Sequence, residues 1–240
     1  MKTALQLNWA VMNGPSLSNV LKLRWRETRS RKGLFASMRE IGSDIWQVVL
    51  EAMPERRRSL FGDADYDWDH NSNTSSGGVS QRTRLLAAIS GAPYQPTEAG
   101  LFAEMMNSLD VRFDEFTFVD LGSGKGRTLL MAAELGFRRV IGVELLPELH
   151  EVAARNVVHL TNVETVCLDA RDYEFPDEPL VLYLFNPLPA AALESVVARL
   201  RDFQKPLRII YHNPVSGDVL ERATFLHQQS GTEQYVIYSN

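Results

Sequence analysis

From about residue 116 to residue 212 the chain alternates short apolar runs with longer amphipathic ones, and this alternation constrains the fold more than any other feature. The pattern predicts strands at 116–121, 139–144, 163–168, 180–185 and 207–212, with helices at 128–135, 147–160 and 190–203 between them. Strands separated by single helices pair in parallel, so the expected core is an open parallel sheet covered by helices on both faces. The run Leu180-Val-Leu-Tyr-Leu-Phe185 is apolar at every position, as a strand buried on both sides must be. Two further runs, 224–229 and 234–238, flank Ser230-Gly231-Thr232 and predict a terminal hairpin that adds an antiparallel edge.

Upstream of residue 80 the character changes. Apolar residues at helical spacing predict helices over 16–30 and 34–53, the second stopped by Pro54. Residues 22–58 hold ten Lys/Arg against five Asp/Glu, whereas residues 59–240 hold fourteen against twenty-five. Basic residues interleaved with acidic ones read as solvated helix faces. The expectation is a helical cap that forms a homodimer or shapes substrate entry, with nucleic acid disfavoured by the net charge of −5. Residues 63–78, rich in Asp, Asn, Ser and Gly, read as a loop without periodicity, either a lid over a site or a disordered linker. A short helix over 80–90 and another from Pro96-Thr97-Glu98 to about 109, with Thr97 as N-cap, precede the sheet. The division expected is 1–79 as a helical extension with a lid loop, and 80–240 as the catalytic domain. Cys167 is the sole cysteine and cannot form an internal disulfide. With no apolar run of about 18 residues and no leader pattern, a cytoplasmic protein without a membrane span is expected.

Chemistry concentrates in Phe118-Val-Asp120-Leu-Gly122-Ser123-Gly124-Lys125-Gly126-Arg127, where a buried strand turns through glycines into a helix. Glycines admit positive φ and close ligand approach, and the helix start offers free N–H groups. A phosphate-binding loop of the form G-x-x-x-x-G-K-[ST] is excluded, because Val119 stands where its first glycine belongs and Gly126 where Ser or Thr must hold magnesium. A dinucleotide loop, G-x-G-x-x-G, fails at its third glycine, where Arg127 stands. An NAD-dependent oxidoreductase also lacks its usual Tyr-x-x-x-Lys pair.

The spacing D-x-G-x-G-x-G resembles motif I of the seven-strand, Rossmann-like methyltransferases that use S-adenosyl-L-methionine. Three further landmarks follow in family-like order: Glu144-Leu145 at the end of the second strand, Asp169-Ala170 after the third, and Asn186-Pro187-Leu188-Pro189 after the fourth. The resemblance covers roughly residues 80–240. Tyr94-Gln-Pro96-Thr97 and the Gly-Lys-Gly-Arg form of the loop resemble the branch that includes protein lysine methyltransferases. The resemblance implies a doubly wound, mostly parallel seven-stranded sheet. It implies cofactor binding by Asp120, Gly122, Ser123, Gly124, Gly126, Arg127, Glu144, Leu145, Asp169, Ala170 and Asn186. In it, Glu144 accepts the ribose hydroxyls and Asp169 meets the adenine amino group; Arg127 reads as a partner of the methionine carboxylate or of a substrate anion, or as a helix-surface arginine.

Methyl transfer requires a nucleophile held in line, about 3–3.5 Å from the methyl. Asn186, at the carboxyl end of a central strand, is the first catalytic candidate, because its side-chain oxygen accepts from an amine and orients the nitrogen lone pair. His212, in Tyr211-His212-Asn213-Pro214 at the end of the fifth strand, is the second, as a base. Five scattered histidines and one cysteine offer no metal-ligand spacing, so no metal is expected. The acceptor is left open: nitrogen of a protein side chain or small amine, or oxygen of a small molecule. So is a silent cofactor-binding scaffold.

Overall fold

The structure is a computed structural model that describes residues 64–75, 79–89, 94–186 and 188–240. The helices expected over 16–30 and 34–53, and the dimer expected through them, lie outside the described residues. The described elements are α1 (Ala64–Asp69), α2 (Gln81–Ile89), α3 (Ala99–Asn107), β1 (Thr117–Leu121), α4 (Arg127–Glu134), β2 (Arg139–Glu144), α5 (Pro147–Val157), β3 (Val163–Cys167), β4 (Leu180–Phe185), α6 (Ala190–Leu200), β5 (Leu207–His212), α7 (Gly217–Glu221), β6 (His227–Gly231) and β7 (Tyr235–Ser239). The seven strands form one sheet in the order β3-β2-β1-β4-β5-β7-β6. β1 to β5 run parallel, and β7 pairs antiparallel with both β5 and β6. This is the mostly parallel, Rossmann-like sheet with an antiparallel hairpin that the alternation predicts.

Side-chain alternation sorts the core onto two faces. On one, Val119, Leu121, Ile141, Leu182, Leu184, Ile209 and Tyr211 pack under Leu193, Val196 and Leu200 of α6 and Val219 and Leu220 of α7. On the other, Phe118, Val140, Val181, Tyr183 and Ile210 pack under Phe102, Met105 and Met106 of α3 and Leu129 and Leu130 of α4. Every residue of β1 is buried, as are the first five of β4, so these neighbours form the centre of the sheet. The chain order reverses between β1 and β4, which opens a crevice at their carboxyl ends.

Three expectations need correction. The stretch expected as loop begins as a helix: Ala64–Asp69 forms α1, whose Tyr66 ring stacks on His70 at 3.9 Å. Six residues of modest propensity do not form a helix alone, so α1 owes its shape to what it packs against. Thr97 does not cap α3. The N-cap is Glu98, without a side-chain bond, and the Thr97 hydroxyl pairs instead with the Tyr183 hydroxyl at 2.9 Å. The hairpin turn lies one to two residues later than expected, because β6 continues through Gly231.

Candidate functional site

The β1–α4 loop is shaped by three glycines at positive φ: Gly122 at 88°, Gly124 at 56° and Gly126 at 82°. L-residues avoid that region at a cost of about 1–2 kcal/mol, so the loop requires glycine there. The backbone is tied to β2. Gly122 and Ser123 N–H both donate to the Val143 carbonyl, at 2.8 and 3.1 Å, and Gly126 N–H closes back on the Ser123 carbonyl at 2.8 Å. Gly124 has a second constraint. A Cβ there would meet the Tyr94 ring, with Cδ2 at 2.8 Å.

Two buried carboxylates flank this loop. Glu144 accepts Gly124 N–H on Oε2 and Leu146 N–H on Oε1, each at 2.8 Å, so the glutamate at the end of β2 joins the glycine loop to the start of α5. Burial pushes its carboxyl up, and the three backbone N–H groups of Leu146, Gly124 and Leu145 only partly oppose this. Asp120, on the α3–α4 face, accepts from the Thr128 hydroxyl. Its carboxyl is pushed up to about 7 by burial, against the Thr128 bond and with the Glu144 charge adding to the rise. The Ser123 hydroxyl is buried with no hydrogen-bond partner among the described residues.

The two cations of the loop do something the sequence did not disclose. Both are buried and turned toward residues 64–75. Arg127 Nε donates to Thr74 Oγ1 at 2.7 Å, its guanidinium stands 3.8 Å from Asp67, and it lies over the Tyr66 ring at 4.7 Å. Lys125 Nζ donates to the Ser75 carbonyl at 2.8 Å and to Asn73 Oδ1 at 3.2 Å. Tyr94 donates to the Thr74 carbonyl. Asn73 N–H reaches Asn156 of α5 at 3.1 Å, and Asn156 returns a bond to the Lys125 carbonyl at 2.9 Å. Asp67 organises the segment from within, accepting from the Ser72 hydroxyl, the Thr74 N–H and hydroxyl, and the Ser75 N–H. Just downstream, Ser80 and Thr83 both donate to Glu148 of α5. Residues 64–75 therefore form a strap clasped to the glycine loop. Of its participants, only Tyr94, Lys125 and Arg127 sit in a recognisable motif.

The remaining candidates fall at separate points of the rim. Leu145 is half-buried at the end of β2, and Ala170 is buried after β3. Asp169 is bound by its neighbour: Arg171 N–H and Nε reach Oδ1 at 2.9 and 3.0 Å, and Arg171 NH2 reaches Oδ2 at 2.6 Å. Burial pushes this carboxyl up, but the Arg171 side chain and backbone outweigh it, and the net shift is downward. Asn186 follows β4 at φ 41°, half-buried, with Oδ1 accepting from the Tyr211 hydroxyl at 3.2 Å. His212 lies on the opposite face of the sheet. Its Nδ1 is 2.8 Å from the Tyr183 hydroxyl, and its ring stacks on Phe185 at 3.8 Å. Burial lowers its pKa to about 4, so the ring is neutral through physiological pH. The two catalytic candidates thus share a rim but not a face.

Residues 118–207 match the family model described as "Methyltransferase domain". Among solved structures, the chain resembles the YcgJ protein from Bacillus subtilis, with 21% identity, 52% of this chain and 56% of that one covered, and a TM-score of 0.41. It thus spans little more than half of that protein's length. An RNA methyltransferase from Salinibacter ruber, solved with S-adenosyl-L-homocysteine, aligns at 21% identity over 60% of this chain and 91% of that one, with a TM-score of 0.45. A putative methyltransferase, yhhF, from Escherichia coli aligns at 15% identity over 62% and 89%, with a TM-score of 0.49. No curated protein matches. The matched segment runs from β1 to the first residue of β5, through the glycine loop, Glu144, Asp169 and Asn186, and carries the likeness to a methyltransferase domain.

Proposed function

We propose that this protein transfers a methyl group from S-adenosylmethionine to a nitrogen of a protein side chain or small amine. The observation that carries the reading is Asn186. It stands at the carboxyl end of β4, at the β1/β4 switch point, with a carbonyl oxygen already aligned by one hydrogen bond and a second lone pair available. An amine that donates an N–H to that oxygen keeps its own lone pair free for attack. A hydroxyl nucleophile has only one proton to give, and it must leave.

When bound, the cofactor supplies the electrophilic methyl and the leaving group. The chain's own residues bind and orient. Glu144 would accept from the ribose with the lone pairs that the backbone N–H groups of Gly124, Leu145 and Leu146 leave open. Gly122, Ser123, Gly124 and Gly126 would let the methionine end approach the backbone, and Asp120 would offset its ammonium charge. Asp169 and the Ala170 backbone hold the adenine side, with Asp169 steadied by Arg171. Arg127 and Lys125 serve the site indirectly, by fixing the strap. His212 contributes a neutral ring stacked on Phe185 and is a poor base for an ammonium, whose pKa near 10 lies far above its own.

The test is calorimetric titration with S-adenosylmethionine and S-adenosylhomocysteine, followed by labelled methyl transfer into cell extract with protein, nucleic-acid and small-molecule fractions counted separately. Glu144→Ala is expected to abolish cofactor binding. Asn186→Ala is expected to keep cofactor affinity within about threefold and to lower transfer by at least 100-fold, the scale of one well-placed polar group at a reacting centre. Binding of NADH in place of S-adenosylhomocysteine, or full transfer by Asn186→Ala, would overturn the reading.

A further inference from the structure

We infer that Tyr211 is a positioning residue that sets the direction of the Asn186 amide, through a fixed chain from the Ser216 N–H to the Tyr211 hydroxyl to Asn186 Oδ1. This rests on the methyl-acceptor role proposed for Asn186. Tyr211 is the fifth residue of β5, buried on the α6–α7 face at 1% exposure. In the parallel register it sits beside Leu184, two residues before Asn186. Its hydroxyl accepts the Ser216 N–H at 3.2 Å and donates to Asn186 Oδ1 at 3.2 Å. Burial raises its pKa, so the hydroxyl keeps its proton and remains a donor.

The direction of donation is settled by the chain itself. The Ser216 backbone N–H can only donate, so it occupies the Tyr211 oxygen as acceptor and leaves the hydroxyl proton for the next partner. That proton selects the oxygen end of the Asn186 amide, because the NH2 end would set donor against donor. Asn186 is also held by its backbone, at φ 41°, a conformation Asn tolerates better than most residues. A side chain fixed at both ends presents the second lone pair of Oδ1 in one direction. Without the Tyr211 hydroxyl the amide is free to flip and offer a donor where an amine needs an acceptor. Ser216 caps α7, so the anchor of the chain is itself part of a packed element, with Val219 and Leu220 in the core.

The experiment uses two binding probes and no turnover. S-adenosylhomocysteine has neither methyl nor charge at sulfur, whereas sinefungin carries an ammonium group at that point. Calorimetry on the full chain gives the ratio of the two affinities for wild type, Asn186→Ala and Tyr211→Phe. Wild type is expected to prefer sinefungin. Both variants are expected to lose about tenfold of that preference, the scale of one hydrogen bond to a charged group, while keeping S-adenosylhomocysteine affinity. Retained S-adenosylhomocysteine affinity also shows that each variant is folded. If Asn186→Ala loses the preference and Tyr211→Phe keeps it, the positioning role is refuted and the role of Asn186 stands. If Tyr211→Phe weakens both probes equally, Tyr211 is merely structural and the inference is again refuted. No preference in wild type, or none lost in Asn186→Ala, removes the acceptor role of Asn186 and this inference with it.

Discussion

Asp67→Asn is expected to unfasten the strap while leaving the sheet intact. The carboxylate accepts four hydrogen bonds: on Oδ1 from the Ser72 hydroxyl at 2.9 Å and from the Thr74 N–H and hydroxyl at 2.7 and 2.5 Å, and on Oδ2 from the Ser75 N–H at 2.7 Å. An amide can keep its oxygen toward the first three, which places its NH2 against the Ser75 N–H. One charge-assisted bond is lost, about 1.5–3 kcal/mol, and a donor is left facing a donor. The charge opposite Arg127 at 3.8 Å disappears as well. Together these put the cost at roughly 2–4 kcal/mol on strap opening, or about a 30- to 1,000-fold larger opening constant. The hydrogen bonds hold the Asp67 carboxyl below its ordinary pKa despite the upward push of burial. The clasp is therefore at full strength above about pH 4 and weakens only as pH falls through the folded value. Amide hydrogen exchange at neutral pH reads the effect, and the reporter is Asn73. Its N–H donates to Asn156, not to Asp67, so faster exchange there means that the strap leaves as a unit. Wild-type exchange at Asn73, with Thr74 and Ser75 accelerated, would refute the reasoning and reduce Asp67 to the centre of a local turn.

Two other perturbations follow from the loop. Asp120 has a folded pKa raised to about 7, so its contribution to stability is present below about pH 4 and is lost as pH rises to 7. Asp120→Asn keeps an oxygen for the Thr128 hydroxyl and cannot ionise; denaturant titration at pH 8 should find it roughly 2–4 kcal/mol more stable than wild type, with the advantage gone at pH 4 and S-adenosylmethionine affinity reduced. A stability gain that is the same at both pH values would discount the buried charge. Gly124→Ala combines φ strain with the clash against Tyr94 and is expected to cost about 2–4 kcal/mol. In a double-mutant cycle with Tyr94→Ala the clash term alone is relieved, so strict additivity of the two single changes would show that the ring does not set the limit.

The sheet was legible because its signal is local. Leu180–Phe185 could be assigned to the centre from six consecutive apolar residues, and the glycine loop from its spacing alone. The strap was not, because its composition is that of an unfolded linker and its partners lie far along the chain. Thr74 finds Arg127 53 residues later, and Ser80 finds Glu148 68 residues later. Thr97 met the requirements of an N-cap, yet a hydroxyl 86 residues away bound it instead. In the same way, His212 stood out from its neighbours by its chemistry, while Tyr211 looked like a core ring. The β4–β5 pairing and the bond from the Tyr211 hydroxyl to Asn186 Oδ1 show that Tyr211, not His212, meets Asn186. Parallel register depends on both strands together, and neither run contains it.

The same long-range contacts decide what the loop can bind. Gly-Lys-Gly-Arg carries two positive charges at a helix start, a place that favours anions in general. In the fold both cations are directed into the strap, Lys125 onto the Ser75 carbonyl and Arg127 onto Thr74 beside Asp67. The groups that flank the loop are instead the carboxylates of Asp120 and Glu144, each pushed upward in pKa by burial. A pair of buried acids repels a pyrophosphate, and a nearby cation relieves the cost of ionising them. S-adenosylmethionine brings a sulfonium and an ammonium against one carboxylate, a net positive end, whereas NAD brings two phosphates to this end of its site. The electrostatics of the folded loop therefore favour the sulfonium cofactor for a reason independent of the glycine spacing. The strap contributes to that choice by removing Lys125 and Arg127 from the site.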